Sequence, residues 1–540
     1  MTEIVTLTID EQKVQVPNGT LIIEAAESVG IQIPRYCYHS GLPVVGSCRM
    51  CLVEIEKAPK LQPSCATVVA EGMIVRTRTP ETLRNRRSVL EFLLANHPLD
   101  CPVCDQAGEC ELQNYYMDHG LYNPRFNENK ARRKKAYPIG PHIILDQERC
   151  ILCTRCVRFT RLISKTAELG VMDRGHRSEI DIFPGAELSN PYSGNVADIC
   201  PVGALTDRDF RFKCRVWFLG RARSVCPGCS RGCNIEIHFN ERFNPRYHDQ
   251  RVHRLKPRYN KDVNSHWICD EGRYSYHSID APSRLKIPQM KQGDVFQETS
   301  WTRAIQEVAA TLKKVLAAHG PEKIAVLASP QSSNEELYFI RRIFKDHLGI
   351  TNIASRVHSS AAVFSDDFLI TADKNPNAKG AQLILPSGSG SKELLQECAE
   401  GRIRFLYVFQ HDLTLGFDAQ FAAEALGKVD CVAFQGSWDH ATASLADIRL
   451  PSAVYAEKDG TFTNIQGRVQ RFHPAVSPVG ESLPDLEILF RLAAELGLGL
   501  IGTSAAQVLS EIGTAVEAFS GITWQTVGSS GQLLLLNSGE

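Results

Sequence analysis

Most of the 18 cysteines of this 540-residue chain fall into four groups in its first half. Thiolates at Cys-x-x-Cys spacing converge on soft metal centres, and four such groups in series are typical of a path for electrons. The sequence therefore predicts four iron–sulfur centres. The groups are Cys37, Cys48, Cys51 and Cys65; Cys101, Cys104 and Cys110; Cys150, Cys153, Cys156 and Cys200; and Cys226, Cys229, Cys233 and Cys269.

The first group, in RYCYHSGLPVVGSCRMC with Cys65 further on, has the pattern of a 2Fe–2S centre. Gly46 and Ser47 let the backbone approach closely, so that amide N–H groups can point at the sulfides of a cluster. Four thiolates also satisfy zinc. An isolated zinc site, however, would not need the ferredoxin-type loop predicted around these cysteines.

The second group, in HPLDCPVCDQAGEC, has only three cysteines. His97 is the other good soft-metal ligand in the segment, and it predicts a 4Fe–4S centre with one imidazole ligand. As in Rieske centres, an imidazole in place of a thiolate should raise the potential. In the alternative, His97 is a helix-capping side chain and an outside ligand completes the site.

The third group, in CILCTRCVRFT and DICPVGALT, has the Cys-x2-Cys-x2-Cys run and the distant Cys-Pro pair of bacterial ferredoxins. Thr160 occupies the position of the run's fourth cysteine, which would serve a second cluster. We therefore predict a single 4Fe–4S centre held by Cys150, Cys153, Cys156 and Cys200.

The fourth group, in VCPGCSRGCN and HWICDEGR, predicts another 4Fe–4S centre, and a structural zinc ribbon is its competitor. Three further cysteines, Cys214, Cys398 and Cys431, are interpreted as buried small hydrophobic residues.

The elements that position these groups predict a multidomain α+β and α/β chain. The predicted domains are a 2Fe–2S β-grasp (1–78), a His/Cys 4Fe–4S segment (79–120), a connector (121–142), a bacterial-ferredoxin-like 4Fe–4S domain (143–218), a further 4Fe–4S domain (219–280) and an α/β region (281–540). Thr79 and Pro80 should begin the helix of the second domain, and His97-Pro98 should end it. In the last region helix-period runs alternate with short apolar runs, which predicts a mainly parallel sheet.

Net charge and composition indicate which partners and which cellular location to expect. The formal net charge of −1 gives no indication of a nucleic-acid partner, and we read the basic run Arg132–Lys135 as a solvated linker. We find no signal-peptide pattern and no apolar run of membrane-spanning length, so a cytoplasmic location is expected. Thiols stay reduced there, which favours metal centres over disulfides.

The α/β region contains fewer candidate functional residues than the cysteine-rich first half of the chain. The stretch SGSGS at Ser387 to Ser391 is a weak phosphate-loop candidate and is better interpreted as a flexible loop. We identify no nucleophile with a base in Glu457–Arg471 or elsewhere, so no catalytic residue is predicted in this chain.

In the order of its motifs the chain resembles the large iron–sulfur subunit of respiratory complex I, the G subunit in bacterial naming. The resemblance rests on SCRMC, HPLDCPVCDQAGEC, CILCTRCVRF, DICPVGALT and CPGCSRGC, and more loosely on LPSAVYAEKDGTFTNIQGRVQRF, which is similar to the molybdopterin oxidoreductase fold. It implies that electrons from a flavin- and NADH-binding subunit pass through the 2Fe–2S centre, then the Cys150 centre, then the His97 centre, to a ferredoxin-like subunit with two 4Fe–4S clusters and finally to quinone. It also implies a 2Fe–2S partner subunit, a hetero-oligomer on the cytoplasmic face of the inner membrane without direct membrane insertion, and a Cys226 centre off the main route.

Relatives in this family usually run further, and the chain stops without an apparent C-terminal barrel. Together with the absence of a cysteine ligand in the α/β region, this leads us to expect no molybdenum cofactor and a scaffold role for that region. Two alternatives share the N-terminal modules: the catalytic chain of an NAD-linked formate dehydrogenase, and the diaphorase subunit of a soluble hydrogenase. A zinc-stabilised scaffold without redox function is the third.

Overall fold

A computed structural model describes residues 3–123, 125–242, 250–355, 363–386, 390–500, 502 and 504–535. The chain forms two compact units, and each is described by itself. Unit 1 ends at Leu219 and unit 2 begins at Gly220. Across the described residues, no helix has the length and apolar character needed to cross a membrane.

Unit 1 begins with a five-stranded sheet around one helix. Alternating apolar residues such as Leu7 and Ile9 turn one face of the sheet to the core, where the helix covers it. The strand order is β2-β1-β5-β3-β4, and the central β1–β5 pair is parallel. The elements are β1 (Ile4–Ile9), β2 (Gln12–Pro17), α1 (Ile22–Ser28), β3 (Leu52–Ile55), β4 (Gln62–Pro63) and β5 (Ile74–Arg76).

Two helices follow the sheet, α2 (Pro80–Asn96) and α3 (Glu111–His119). The Thr79 side chain accepts a hydrogen bond from the Thr82 amide, and Pro80 opens the helix, as the sequence predicts. His97 follows the last helical residue in an extended conformation, because the proline after it disfavours helical geometry. The chain therefore turns away at His97, where the second cysteine segment begins.

The rest of unit 1 has a small ferredoxin-like arrangement. A three-stranded sheet of order β10-β7-β6 and a two-stranded pair β8-β9 accompany two short helices. The elements are β6 (Tyr137–Pro138), β7 (Ile143–Leu145), α4 (Arg155–Leu162), β8 (Leu169–Met172), β9 (Glu179–Ile182), α5 (Asn195–Ile199) and β10 (Leu205–Asp207). The ligand loops precede α4 and follow α5.

Unit 2 opens with an antiparallel three-stranded sheet, β11-β12-β13, followed by a short helix. The turn between the first two strands carries Cys226, Cys229 and Cys233, and Cys269 caps the helix. The elements are β11 (Gly220–Val225), β12 (Asn234–Phe239), β13 (Val252–Pro257) and α6 (Asp270–Tyr274).

The remainder of unit 2 is an α/β domain on a seven-stranded sheet of order β15-β14-β20-β19-β18-β16-β17. Neighbours from β20 to β17 are parallel, and the β14–β15 hairpin adds an antiparallel edge. The predicted mainly parallel sheet is therefore confirmed. The elements are β14 (Gln289–Gln292), β15 (Val295–Glu298), α7 (Trp301–His319), β16 (Ile324–Leu327), α8 (Asn334–Ile340), β17 (Ile353–Ala354), α9 (Ala378–Ile384), α10 (Ser391–Ala399), β18 (Phe405–Phe409), α11 (Ala419–Leu426), β19 (Cys431–Gly436), α12 (Ala441–Ser444), β20 (Ile448–Pro451), β21 (Gly460–Thr463), β22 (Arg468–Phe472), α13 (Asp485–Leu496), α14 (Ala505–Ala515), α15 (Trp524–Val527) and β23 (Gln532–Leu533).

Buried polar residues hold β21 against α8. Glu335 accepts hydrogen bonds from the backbone amide and the hydroxyl of Thr461, at 2.9 and 2.7 Å. Lys458 forms buried ion pairs with Glu336 and Asp485. One buried ammonium group thus pairs with two carboxylates, and the donors of Thr461 satisfy Glu335, as buried polar groups require. Ser387 to Ser389 of the glycine–serine stretch lie outside the described residues.

Candidate iron–sulfur centres

The four cysteines of the first group come together beside the N-terminal sheet. The Cys37 amide lies 3.5 Å from Sγ of Cys48, and the thiols of Cys37 and Cys51 are in hydrogen-bonding contact with other thiols of the group. Contact with the Cys48 thiol is the main cause that holds the pKa of Cys37 below its ordinary value. Gly46 has a φ of 62°, a conformation that favours glycine. The loop thus folds back so that all four sulfurs meet.

The second group forms one pocket with His97. The pocket has about 300 Å³ of atom-free space, and its lining includes His97, Cys101, Cys104 and Cys110. Nδ1 of His97 is buried and has no hydrogen-bond partner among the described residues. Burial, followed by the charge of Arg149, lowers the pKa of this imidazole to about 4. His97 is therefore neutral, which is the form that ligates metals, and its orphaned nitrogen is an available donor.

Gly203, in the neighbouring ferredoxin-like region, leaves space around the sulfur of Cys104 because it has no side chain. A Cβ atom placed on Gly203 would lie 2.3 Å from Sγ of Cys104, far inside van der Waals contact. Arg215 holds the same loop from outside by donating to the carbonyls of Pro102 and Cys104 at 2.7 and 2.6 Å. The pocket is thus shaped by segments that lie about a hundred residues further along the chain, and the close backbone approach fits a bound cluster.

The third group lines a second pocket, with about 350 Å³ of atom-free space, to which Cys150, Cys153, Cys156 and Cys200 all contribute. Backbone amides approach each sulfur: that of Leu152 lies 3.4 Å from Sγ of Cys150. The sulfurs of Cys153, Cys156 and Cys200 also accept hydrogen bonds from backbone amides. The donors are the amides of Arg155, Val157, Val202, Ala204 and Leu205. Such amide donors stabilise negative charge on a cluster.

The backbone of this loop is strained where it turns around the pocket. Leu152 and Thr154 have φ values of 54° and 57°, which side-chain-bearing residues rarely adopt. Burial raises the pKa of Cys150 and Cys153 to about 12. Without a cation the thiols would keep their protons, so a metal centre that binds here releases protons.

The fourth group lines a pocket in unit 2, with about 320 Å³ of atom-free space. The Gly272 amide donates to Sγ of Cys269 at 3.3 Å, and the Gly228 amide serves Cys226. A Cβ atom on Gly272 would lie 2.9 Å from Sγ of Cys226. Burial raises the pKa of Cys269 to about 11. Buried thiols, amide donors and a glycine cradle recur here, and all three fit a cluster.

In the part of the chain that the structure describes, no group of three or more His, Cys, Asp or Glu side chains is arranged to hold a metal ion. An iron–sulfur cluster needs a wider arrangement of ligands than a single metal ion, because its protein ligands surround several iron atoms rather than one. Of the remaining cysteines, Cys398 and Cys431 lie in the two cores of the α/β domain, and Cys214 is partly buried. The positions of Cys398 and Cys431 match their interpretation as small hydrophobic residues.

Sequence reasoning missed the cations around these pockets. Arg149 lines the His97 pocket, and its buried Nη1 has no hydrogen-bond partner among the described residues. Arg155 and Arg158 of α4 contact the loop of the first group. The signal that could have found them is their place beside ligands, in the run RCILCTRCVR.

Family models cover the chain almost from end to end. They are described as a 2Fe–2S iron-sulfur cluster binding domain (residues 2–80), an NADH-ubiquinone oxidoreductase-G iron-sulfur binding region (86–125) and an NADH-quinone oxidoreductase subunit 3 ferredoxin-like domain (140–206). A molybdopterin oxidoreductase Fe4S4 domain (221–281) and a molybdopterin oxidoreductase model (284–378 and 370–495) match the rest.

The chain is 30% identical to an NADH-quinone oxidoreductase G subunit from Rickettsia bellii, over 96% of this chain and 90% of the relative. This chain belongs to the family of NADH-quinone oxidoreductase G subunits. A mitochondrial NADH-ubiquinone oxidoreductase 78 kDa subunit from Neurospora crassa is also 30% identical, over 95% of this chain and 84% of that one. The Rickettsia alignment spans 627 positions, more than the chain has residues, so this family member lacks segments inside the aligned region.

Membership in this family establishes the class of chemistry. The chain carries 2Fe–2S and 4Fe–4S binding domains and is an electron-transfer subunit of an oxidoreductase complex. The predicted resemblance to the large iron–sulfur subunit of complex I is therefore confirmed, as is the mixed multidomain fold with its molybdopterin-oxidoreductase-like part.

Proposed function

We propose that this chain relays electrons within an NADH:quinone oxidoreductase, through one 2Fe–2S and three 4Fe–4S centres. The Cys37 group holds the 2Fe–2S centre. The other groups, the first of them completed by His97, hold the 4Fe–4S centres. Each centre supplies one-electron transfer when bound. The chain itself supplies the ligands, excludes water and donates amides to sulfur.

The observation that carries this proposal is the contact of two arginines with the ligand groups of unit 1. Arg158 donates hydrogen bonds to the carbonyls of both Cys37 and Cys153, so the first and third groups are neighbours. Arg149, adjacent to Cys150 in the chain, lines the pocket of the second group. These contacts support the third group in sequence as the middle centre, with electrons passing from the Cys37 group through the Cys150 group to the His97 pocket.

The His97 pocket is the expected exit from this chain. Cys101 is the one predicted ligand in unit 1 that is exposed, while Leu99 and Val103 beside it are 88% and 62% exposed. Large apolar side chains around an exposed ligand suit contact with another protein. We propose that this edge faces the ferredoxin-like subunit with two 4Fe–4S clusters, and that the 2Fe–2S side receives electrons from the flavin-bearing subunit and its 2Fe–2S partner.

Chemical differences between the ligand groups set a direction for the electrons. Neutral His97 leaves its centre less negative than a centre with four thiolates, and a less negative centre accepts an electron more readily. Arg149 adds a permanent positive charge to the same pocket. Both features favour the reduced form of the His97 centre, the last centre in the proposed order.

Unit 2 has a supporting role in this proposal. A centre that ties Cys269 to the turn of Cys226 closes a loop and stabilises the fold, off the electron route. The α/β domain acts as a scaffold without a molybdenum cofactor. The chain reaches the cytoplasmic face of the inner membrane through its partner subunits.

Anaerobic purification of the full chain, followed by iron and sulfide analysis and EPR, tests the proposal. We expect one 2Fe–2S and three 4Fe–4S centres. The substitution His97→Cys should lower the potential of only one 4Fe–4S signal, because a thiolate adds negative charge to its centre. The matched control is His176→Cys, at an exposed position of unit 1, which should leave all signals unchanged.

Two results would contradict the assignment. Colourless, oxygen-free protein that contains only zinc would remove the relay altogether. An unchanged EPR spectrum and unchanged potentials in His97→Cys would exclude the imidazole ligand and leave the second centre with an outside donor.

A further inference from the structure

Arg158 connects two ligand groups directly. It lies on α4 and is partly buried. Its Nη2 donates hydrogen bonds to the carbonyl of Cys37 and, at 3.4 Å, to the carbonyl of Cys153. Its Nη1 donates to the carbonyl of Pro43 at 2.6 Å. One guanidinium group therefore bridges the backbone of a predicted 2Fe–2S ligand and that of a predicted 4Fe–4S ligand.

Arg155, one turn earlier on the same helix, repeats this arrangement. Its Nη2 donates to the carbonyl of Tyr38 at 2.8 Å, and its Nη1 donates to the carbonyl of Ile199 at 3.1 Å. Tyr38 follows the ligand Cys37, and Ile199 precedes the ligand Cys200. Two arginines thus join the Cys37 loop to the ligand segments of the third group.

Arginine suits this task better than any other residue. Its planar guanidinium has five donors in a fixed fork and stays charged when buried, whereas lysine has a compact ammonium group on a flexible stem. Burial lowers the pKa of Arg158, and the nearby sulfurs of Cys37 and Cys153 act in the opposite direction. When these cysteines are ionised as cluster ligands, their negative charge would offset part of the cost of burying this cation.

We propose that Arg158, with Arg155 in support, is a positioning residue that fixes the separation of the 2Fe–2S centre and the Cys150 centre and joins their ligands by hydrogen bonds. This inference rests on the proposed function. Electron tunnelling weakens steeply with distance, so a small movement of one loop against the other slows the first transfer within the chain. The bridge also places a positive charge between the two stations, which stabilises an electron on either.

Two variants separate geometry from charge. Arg158→Lys keeps the positive charge but loses the fork, and Arg158→Gln loses both. Arg161→Gln is the matched control, because Arg161 lies on the same helix but is exposed. Each full-length variant is purified anaerobically, and its iron content, its redox potentials and the EPR relaxation of the 2Fe–2S signal are measured. The relaxation reports the coupling between this centre and its reduced 4Fe–4S neighbour.

In Arg158→Lys we expect full iron content, nearly parental potentials and loss of the fast relaxation of the 2Fe–2S signal. Arg158→Gln should in addition show lower potentials for both centres. The control should match the parent. A merely structural arginine would not shift the potentials of two centres together while iron is retained.

Parental relaxation in both Arg158 variants, with iron retained, overturns the inference. If Arg158→Lys loses iron, Arg155→Lys provides a second test, because it removes the fork that joins the carbonyls of Tyr38 and Ile199. The proposal requires this second bridge to help hold the separation, so a partial loss of the fast relaxation at full iron supports it and parental relaxation overturns it. Absence of iron–sulfur signals in the parent chain is a different result, which contradicts the proposed function itself.

Discussion

Removal of the charge of Arg149 should lower the potential of the His97 centre. Arg149 is 4% exposed and donates to Asp100 at 2.9 Å from Nη2, while its Nη1 has no hydrogen-bond partner among the described residues. A Cβ atom on Gly203 would lie 2.3 Å from Sγ of Cys104 and 3.7 Å from Cδ of Arg149. The arginine side chain therefore passes close to a ligand sulfur, and its charge acts on any electron added to the centre.

The size of the effect follows from Coulomb's law. At roughly 6 to 8 Å and an effective dielectric constant of about 20, one unit charge contributes about 2 to 3 kcal/mol. The carboxylates of Asp100 and Asp146, which both pair with Arg149, offset part of this, and we take about half as the net contribution. About 1.4 kcal/mol is a tenfold change in the reduction constant, so Arg149→Gln should lower the potential by roughly 60 mV for one electron.

The assay is an anaerobic redox titration of the full chain, followed by EPR of the His97 signal. Arg149→Lys keeps the charge and should stay close to the parent. The double substitution Arg149→Gln/Asp100→Asn removes one charge of each sign and should bring the potential back towards the parental value. Arg87→Gln, an exposed position on α2, is the matched control. Retained iron together with the parental potential in Arg149→Gln would contradict this prediction, and so would an equal shift of the potential in Arg87→Gln.

Two further predictions concern other parts of the molecule. Gly203→Ala should remove the His97 centre alone, because the new methyl group collides with Sγ of Cys104; iron analysis should show the loss of one 4Fe–4S centre, and retention of its EPR signal would contradict this. Burial raises the pKa of Glu335 from 4.5 to about 7, so its contribution to stability is complete below pH 4.5 and is lost as the pH rises through 7. The loss should approach about 3 kcal/mol between pH 5 and pH 8 and be absent in Glu335→Gln, as measured by hydrogen-exchange protection of β21; equal pH dependence in the two proteins would contradict it.

The groups of candidate ligands could be found from the sequence because the signals that mark them are local. Cys-x-x-Cys spacing, a helix cap at Thr79 and a proline after His97 each act within a few residues, and the structure has the helix ends where these signals put them. The contacts between stations could not be predicted in this way. Arg158 and Cys37 are separated by 121 residues, and no periodicity or motif links them. The same holds for Gly203 and Cys104, which meet only because two separate segments fold against each other.

In the proposed relay, the arginines of unit 1 lie between ligand groups that are distant from each other in the sequence. Arg155 and Arg158 lie where the Cys37 loop meets the Cys150 group, and Arg149 lies where the Cys150 group meets the His97 pocket. A fixed cation between two centres stabilises an added electron on either centre. It therefore does not favour electron transfer in one direction over the other. Direction must then come from the ligands. In the proposed relay, His97, held neutral by burial, would make the last centre the least negative of the three, and the electron would then lie beside the exposed Cys101, where a partner subunit could accept it.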